Sequence, residues 1–236
     1  APEVGFSAGF PAARDAANAA VVTAAGLGGF VPGFAYTALA VAALAAGDVS
    51  AAQDASEASW RRLSVQPGFA SVHINPMAEI ALARGDLVAA RHCADEAASV
   101  MRGWHLAMAL RTRARVAAAQ SELGQADRDA HAALTVAADV HAHSGIPDTL
   151  ECLADLAVKA DGHREAARLF GAADAIRQRI GVVRFKIYDA EYENSLGALR
   201  DAMGEEDFAA AWAEGTALST DEAIAYAQRG RGERKR

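Results

Sequence analysis

The stretch "ARGDLVAARHCADEA", residues 83–97, decides how the chain is read. It holds an Arg-Gly-Asp triplet, a histidine beside a cysteine, and two further acids. Read as a metal site or as a nucleophile with its base, it makes the protein an enzyme. Read as a turn followed by a helix, it makes the protein a scaffold. A second stretch resolves the choice. "LAAGDVSAAQDASEA" at 44–58 has the pattern of "LARGDLVAARHCADEA" at 82–97, without the arginine, histidine or cysteine. The chemistry-bearing residues are therefore incidental to the pattern, and the glycine and alanines are what recur.

Two more copies follow, "SELGQADRDAHAAL" around Gly124 and "KADGHREAARLFGAA" around Gly162. Gly47, Gly85, Gly124 and Gly162 are spaced by 38, 39 and 38 residues. Glycine ends a helix by taking a positive φ at no steric cost. Asp48 and Asp86 then cap the next helix through their carboxylates, with Asp127 as the counterpart in the third copy. Small residues just past the turn, Ala51 and Ala52, Ala89 and Ala90, Ala166 and Ala167, let two helices approach closely. The third copy departs here, with Arg128 and Asp129. A single hairpin cannot hide its own apolar face, so the copies must stack.

Composition agrees. Of 236 residues, 52% are hydrophobic and only 6% aromatic, and alanine, the best helix former, fills most of the apolar quota. The expected fold is all-α: a right-handed α-solenoid of TPR-like helix hairpins with a C-terminal helical cap. An opening helix covers about 11–25, and four pairs turn near 47, 85, 124 and 162. Ala166, Leu169, Phe170, Ala173, Ile176 and Ile180 share one face of a helix. A helix carrying Tyr188, Tyr192, Leu196, Leu199 and Met203 ends at Gly204. "EEDFAAAWAEG" places acids in a helix's first turn, where the dipole favours them. Ser219 and Glu222 form a capping box for the last helix.

The formal charge is −7, but "RGRGERKR" at 229–236 carries +4 and leaves −11 on the body, which disfavours non-specific nucleic-acid binding. Residues 16–47 are uncharged, yet "GLGGFVPG" (26–33) breaks them into pieces too short to span a bilayer. No signal peptide is visible, and a cytoplasmic location is expected. Cys93 and Cys152 form no CxxC or CxxH pair, which suits a reducing compartment.

The remaining candidates for chemistry are sparse. His92 and Cys93 diverge by about 100° on a helix and cannot easily share an ion. Cys93 falls near the alanines of other copies and is expected as a small core residue. His141 and His143 are two apart, facing different sides of a helix or its frayed end. His73, His105, His131 and His163 lack partners in motif spacing. The glycines of 26–33 lack the lysine and hydroxyl residue of a phosphate loop. Trp60, Phe69, Trp104, Phe170, Tyr188, Tyr192 and Trp212 are expected as core anchors. No catalytic, cofactor-binding or metal-ligating residue is assigned.

The two stretches "GIPDTLECLADLAVKADGHREAARLFGAADAIRQRIGV" and "AEYENSLGALRDAMGEEDFAAAWAEGTALSTDEAIAYAQRGRGERKR" carry a resemblance. With "HREAARLFGAA" at 163–173 and "EEDFAAAWAEG" at 205–215, they resemble a region of large actinobacterial, mycobacterial-type LuxR-family transcriptional regulators. In that family the region lies between a STAND, NB-ARC-like ATPase and a C-terminal helix-turn-helix, and some members have an adenylate cyclase-like N-terminus. The matching residues are packing and capping patterns. The family's ATP- and DNA-binding residues have no counterpart within 1–236.

The resemblance implies a non-enzymatic regulatory segment that relays signals between the ATPase and the helix-turn-helix. Residues 1–145 would hold the opening helix and first repeats, 146–228 the last repeat and C-terminal helices, and 229–236 a basic linker toward a DNA-binding domain. The expected partners are a protein or peptide, other domains of the same chain, or a small effector. DNA would be reached only through the downstream domain, and no membrane is involved. The alternative is a stand-alone TPR-like adaptor or effector-binding module.

Overall fold

The computed structural model describes residues 9–65 and 74–233, and the side chains of 76–229 within the second stretch. Every regular element among them is helical. In chain order these are α1 (Gly9–Ala25), α2 (Val31–Ala45), α3 (Val49–Leu63), α4 (Ile74–Ala83), α5 (Leu87–Val100) and α6 (Gly103–Ala119). Then come α7 (Leu123–Asp139), α8 (Ile146–Lys159), α9 (His163–Ile180), α10 (Asp189–Met203), α11 (Glu205–Thr216) and α12 (Thr220–Glu233). His73, Pro67, Gly68 and Phe69 lie outside the described residues.

One turn geometry recurs. Gly47 and Gly85 take φ of 80° and 76°, as their role at a helix end requires. At each, two backbone bonds close the preceding helix: Gly47 N–H donates to Leu44 O and Asp48 N–H to Ala43 O, and likewise Gly85 to Leu82 and Asp86 to Ala81. This is the Schellman pattern, which satisfies the carbonyls that a helix end would leave bare. The same pair of bonds closes α6 at Ser121–Glu122, α7 at His141–Ala142 and α8 at Asp161–Gly162. There the left-handed residue is not glycine: Ser121, His141 and Asp161 have φ of 63°, 55° and 57°.

This corrects the expected register of the later copies. Gly124 lies inside the first turn of α7, and Gly162 is the N-cap of α9 with an ordinary φ of −82°. The residue preceding α7 is Glu122, with no side-chain cap, so Asp127 does not cap. Asp48 and Asp86 do, each accepting from the backbone N–H three residues on at 3.0 Å.

Counted from the left-handed residue, the four copies fall into line. Seven residues before it stand Ala40, Ala78, Ala114 and Ala154, and five residues after it Ala52, Ala90, Ala126 and Ala166, all fully buried. Four before it stand Ala43, Ala81, Ala117 and Ala157. The third copy is not degenerate; its alanine is Ala126. Each hairpin therefore closes methyl against methyl, with no long side chain between the backbones.

The helices pack chiefly in sequence-adjacent pairs, α2 with α3, α4 with α5, α6 with α7 and α8 with α9. Contacts gather them into two compact units. The first holds the residues up to Met101 together with Val183–Asp189. In it Phe185 and Ile187 pack on Ala43, Leu44, Ala52 and Ile80. The second holds Arg102–Val182 and the residues from Ala190 on, around Leu134, Leu150, Leu153, Leu169, Phe170, Ile176 and Leu199. The C-terminal helices follow the expected caps: Ser219 and Glu222 exchange both capping-box bonds, and acids fill the first turn of α11. Helix α12 continues to Glu233, into the stretch expected as linker.

The large aromatics divide. Phe170 is fully buried, and Tyr192 and Trp212 pack against its cluster. Trp60 and Trp104 are 44% and 43% exposed, contrary to expectation. Hairpins closed by alanine leave no room for an indole between their helices.

Helices α9 and α11 cross closely at two glycines. A Cβ on Gly215 would sit 1.9 Å from Arg168 O, and one on Gly171 would sit 2.4 Å from Trp212 O. Both obstacles are backbone and cannot swing aside. Gly215→Ala is expected to separate α11 from α9 and to lower the melting temperature by several degrees, the response to the 1–3 kcal/mol (about) that overpacking costs. The turns give a test of opposite signs. Gly85 has φ +76° and open space around its Cβ position, so Gly85→Ala isolates backbone strain and should cost about 1 kcal/mol in a denaturant melt. Ser121→Gly should instead leave stability unchanged or raise it.

Candidate functional site

The second unit contains a buried ionic seam. It starts from "RTRAR", residues 111–115 of α6. Residues four apart on a helix share a face, while the residue midway between them points away. Arg111 and Arg115 accordingly turn toward α8, and Arg113 turns toward α7. Arg113 forms a two-pronged pair with Asp129, at 2.8 and 2.7 Å, and Gln125 adds a third bond to the same carboxylate at 2.9 Å.

On α8, Asp148 and Glu151 face this seam, and α9 supplies Arg177. Arg177 donates to Glu151 at 3.0 and 2.9 Å and to Asp148 at 2.5 Å. Arg111 donates to the other Asp148 oxygen at 2.8 Å. Arg115 reaches the Asp148 carbonyl at 3.4 Å. The side chains of Arg111 and Arg177 are each 7% exposed and that of Glu151 4%. Two guanidinium cations and two carboxylates thus balance in charge where three helices meet.

Burial alone would push the Asp148 carboxyl up, but Arg111, Arg177 and Arg115 together outweigh it and hold it below the ordinary carboxylate range. Burial pulls Arg177 down, and Asp148 and Glu151 more than reverse this. Asp148 and Arg177 are thus each held in the charged form by the other. Such a group is committed to holding helices in register, since a carboxylate locked to arginines is a poor general base.

The histidines and cysteines are placed elsewhere. His92 and Glu96 are exposed on α5, and Cys93 flanks the buried row Ala90, Ala94 and Ala97 instead of joining it. Burial, then Glu96 and Asp86, raise the Cys93 thiol above its usual range, which opposes a nucleophilic role. Cys152 is buried and pushed up to about 11, chiefly by burial. His141 and His143 do not face different sides: both lie at the α7–α8 turn with rings stacked 6.2 Å apart. His131 is buried with Nε2 3.4 Å from Asp127, an acid at helical spacing that the sequence reading passed over. His105 packs edge-on against Trp104, and His163 lies 3.9 Å from the exposed Asp161. Gly28 and Gly29, both at positive φ, make 26–30 an interhelical turn, and Val31, Pro32 and Gly33 already belong to the first turn of α2. Among the described residues, no three His, Cys, Asp or Glu side chains gather as metal ligands would, and no helix is long and apolar enough to cross a membrane.

The seam itself was missed from sequence. Its signal was three arginines on alternate positions of an alanine-rich helix, together with acids at 148 and 151 on one face of another. Breaking it should be costly. Arg177→Ala leaves Glu151 and Asp148 buried without their shared cation and is expected to destabilise by about 3–5 kcal/mol. Replacing Arg177 and Glu151 together by apolar residues of similar volume, which leaves Asp148 paired with Arg111, should recover much of that loss in the same chemical-denaturation measurement.

Over 228 residues, 97% of its length, the chain is 54% identical to proteins of Mycobacterium bovis and of two Mycobacterium tuberculosis strains. These relatives are named, provisionally, HTH-type transcriptional regulators. The chain spans 26% of the length of these curated relatives. No family model and no solved structure matches it. The chain is thus similar to a segment, about a quarter, of proteins named as transcriptional regulators.

Proposed function

We propose that this chain is a helical-repeat regulatory segment of a LuxR-type transcriptional regulator. It connects an ATPase region of the STAND, NB-ARC-like class to a helix-turn-helix domain and relays signals between them, without catalysing a reaction itself. The observation that carries this reading is the 54% identity to regulators of which the chain spans only 26%. Most of the relatives' length lies outside the matched segment, so the DNA-binding activity that their names assert has room elsewhere.

The repeat supports the TPR-like assignment. Tetratricopeptide units pair a small residue in the first helix with an A-x3-F pattern in the second, at a period near 34 residues. Here Ala154 stands in α8, and Ala166 and Phe170 stand in α9, all fully buried. The left-handed turn residues at 47, 85, 121 and 161 give somewhat longer periods. Stacked units of this kind present extended surfaces to proteins and peptides. A cytoplasmic location follows from the transcriptional role.

A relay must have two states that the signal and the output distinguish by affinity. The test is made in the full-length regulator, comparing wild type with Arg177→Lys, which keeps the charge but loses the two-pronged geometry. Promoter binding and nucleotide hydrolysis are measured in both. The relay reading expects the coupling between the two activities to change while each domain stays folded. Unaltered coupling in this variant and in a deletion of the segment would sink it. Retention of a peptide or a small effector by the isolated segment, with coupling unaltered, would favour the adaptor reading.

A further inference from the structure

The strap between α9 and α10, "VRFKIYD" at 183–189, belongs to the first unit, while α9 and the rest of α10 belong to the second. Phe185 is extended, and Lys186–Tyr188 forms one 3-10 turn. Phe185 and Ile187, both partly buried, pack on Ala43 and Leu44 of α2, Ala52 of α3 and Ile80 of α4. Lys186, between them, is exposed. A Cβ on Gly47 would stand 3.3 Å from the Lys186 Cβ, so the strap lies over the α2–α3 turn. Lys186 Nζ lies 5.8 Å from the centroid of the Phe10 ring, within range of a cation–π attraction. The corresponding turn of the next copy is open: nothing stands within 4 Å of a Cβ on Gly85. Among the described residues, the backbone of Phe185, Lys186 and Ile187 bonds only within its own turn, Tyr188 N–H to Phe185 O and Asp189 N–H to Lys186 O. Side chains therefore hold these three residues on the helices, as they would hold a short peptide laid on a helical surface.

We propose that the strap is a resident ligand. The α2–α3–α4 surface beneath it is a recognition site for a short segment of a separate protein that carries an aromatic, a cationic and an aliphatic side chain in succession. The seated strap defines that chemistry: two apolar side chains, two residues apart, meet an apolar floor, and the cation between them stays in water beside an aromatic ring. A second copy of the chain offers only the same segment. It competes poorly with a strap tethered in place at an effective concentration on the order of millimolar. A separate partner can do better, because Phe185 and Ile187 are only partly buried and bulkier apolar groups at those positions would bury more on the same floor. While the strap is seated, a partner's apparent affinity is reduced by the fraction of time the surface is open. Such recruitment requires neither an ATPase nor a helix-turn-helix.

The probe is a fluorescein-labelled peptide of residues 181–190, "GVVRFKIYDA", and fluorescence anisotropy reads its binding to the intact 236-residue chain. Wild type should bind it weakly. The double variant Phe185→Ala, Ile187→Ala loosens the strap, leaves the floor intact and should bind the peptide about tenfold more tightly. A peptide carrying the same two alanines should lose that binding. Equal affinity of wild type and double variant overturns the proposal, as does undiminished binding of the alanine peptide. Should the double variant fail to fold, wild type decides. Excess peptide should then raise hydrogen exchange across 183–189 while 43–52 stay protected, and no rise overturns the site. Sedimentation of wild type separates the occupants: a dimer that excess peptide dissolves would assign the surface to a second copy and overturn the separate partner.

Discussion

The structure depends on how closely two helices approach at a Schellman turn. The left-handed residue reverses the chain, and the alanines seven and four residues before it and five after it set the spacing. A methyl group is small enough for backbones to approach and large enough to exclude water. Because individual alanines bury little area, no single contact dominates. Stability must come from many such approaches, which is why one hairpin is insufficient and copies follow one another. The glycine pair at the α9–α11 crossing carries the same device to its limit, where even a methyl group is excluded.

This design also explains why charge is found inside. Helices drawn together at alanine-lined turns leave gaps farther from the turn that alanine cannot fill. Arginine has both the length to cross such a gap and donors to satisfy what lies beyond it. Arg111 and Arg177 do so in the second unit, each almost fully buried and each ending on a carboxylate. Replacing the seam with apolar bulk would also fill the space, but without fixing register. Paired charges are satisfied in one alignment of α6, α8 and α9, whereas apolar faces slide.

The fold was legible wherever glycine marked the turn. Gly47 and Gly85 announced the left-handed residue, and the two aspartates after them announced the caps. The later turns use Ser121, His141 and Asp161, residue types that carry no such signal, so the nearest glycines drew the reading three residues late at Gly124 and one late at Gly162. That small displacement hid the alanine register: from Gly124, Arg128 and Asp129 looked like a broken pattern, while Ala126 had been in place. The aromatics misled for a related reason. Trp60 and Trp104 suggest a core by residue type alone, but alanine-closed hairpins have no interior wide enough for them. The seam was illegible because its parts are spread over three helices, and pairing Arg177 with Asp148 across 29 residues requires the packing to be known.

Helix α8 shows how the same residue type acquires different roles from its neighbours. At 100° per residue, Asp148, Glu151 and Asp155 fall within a stripe about 60° wide. All three face the space between helices, and all three lose water there. Two of them meet guanidinium groups, which fixes α8 to α6 and α9. The third accepts from a serine, and burial, then the field of Glu191, push its carboxyl up to about 7. Arg115 lies between the two regimes, bonded to the Asp148 carbonyl and acting on Asp155 only through its field. A single helix face thus passes, within two turns, from carboxylates bound by guanidinium groups to one bound by a hydroxyl.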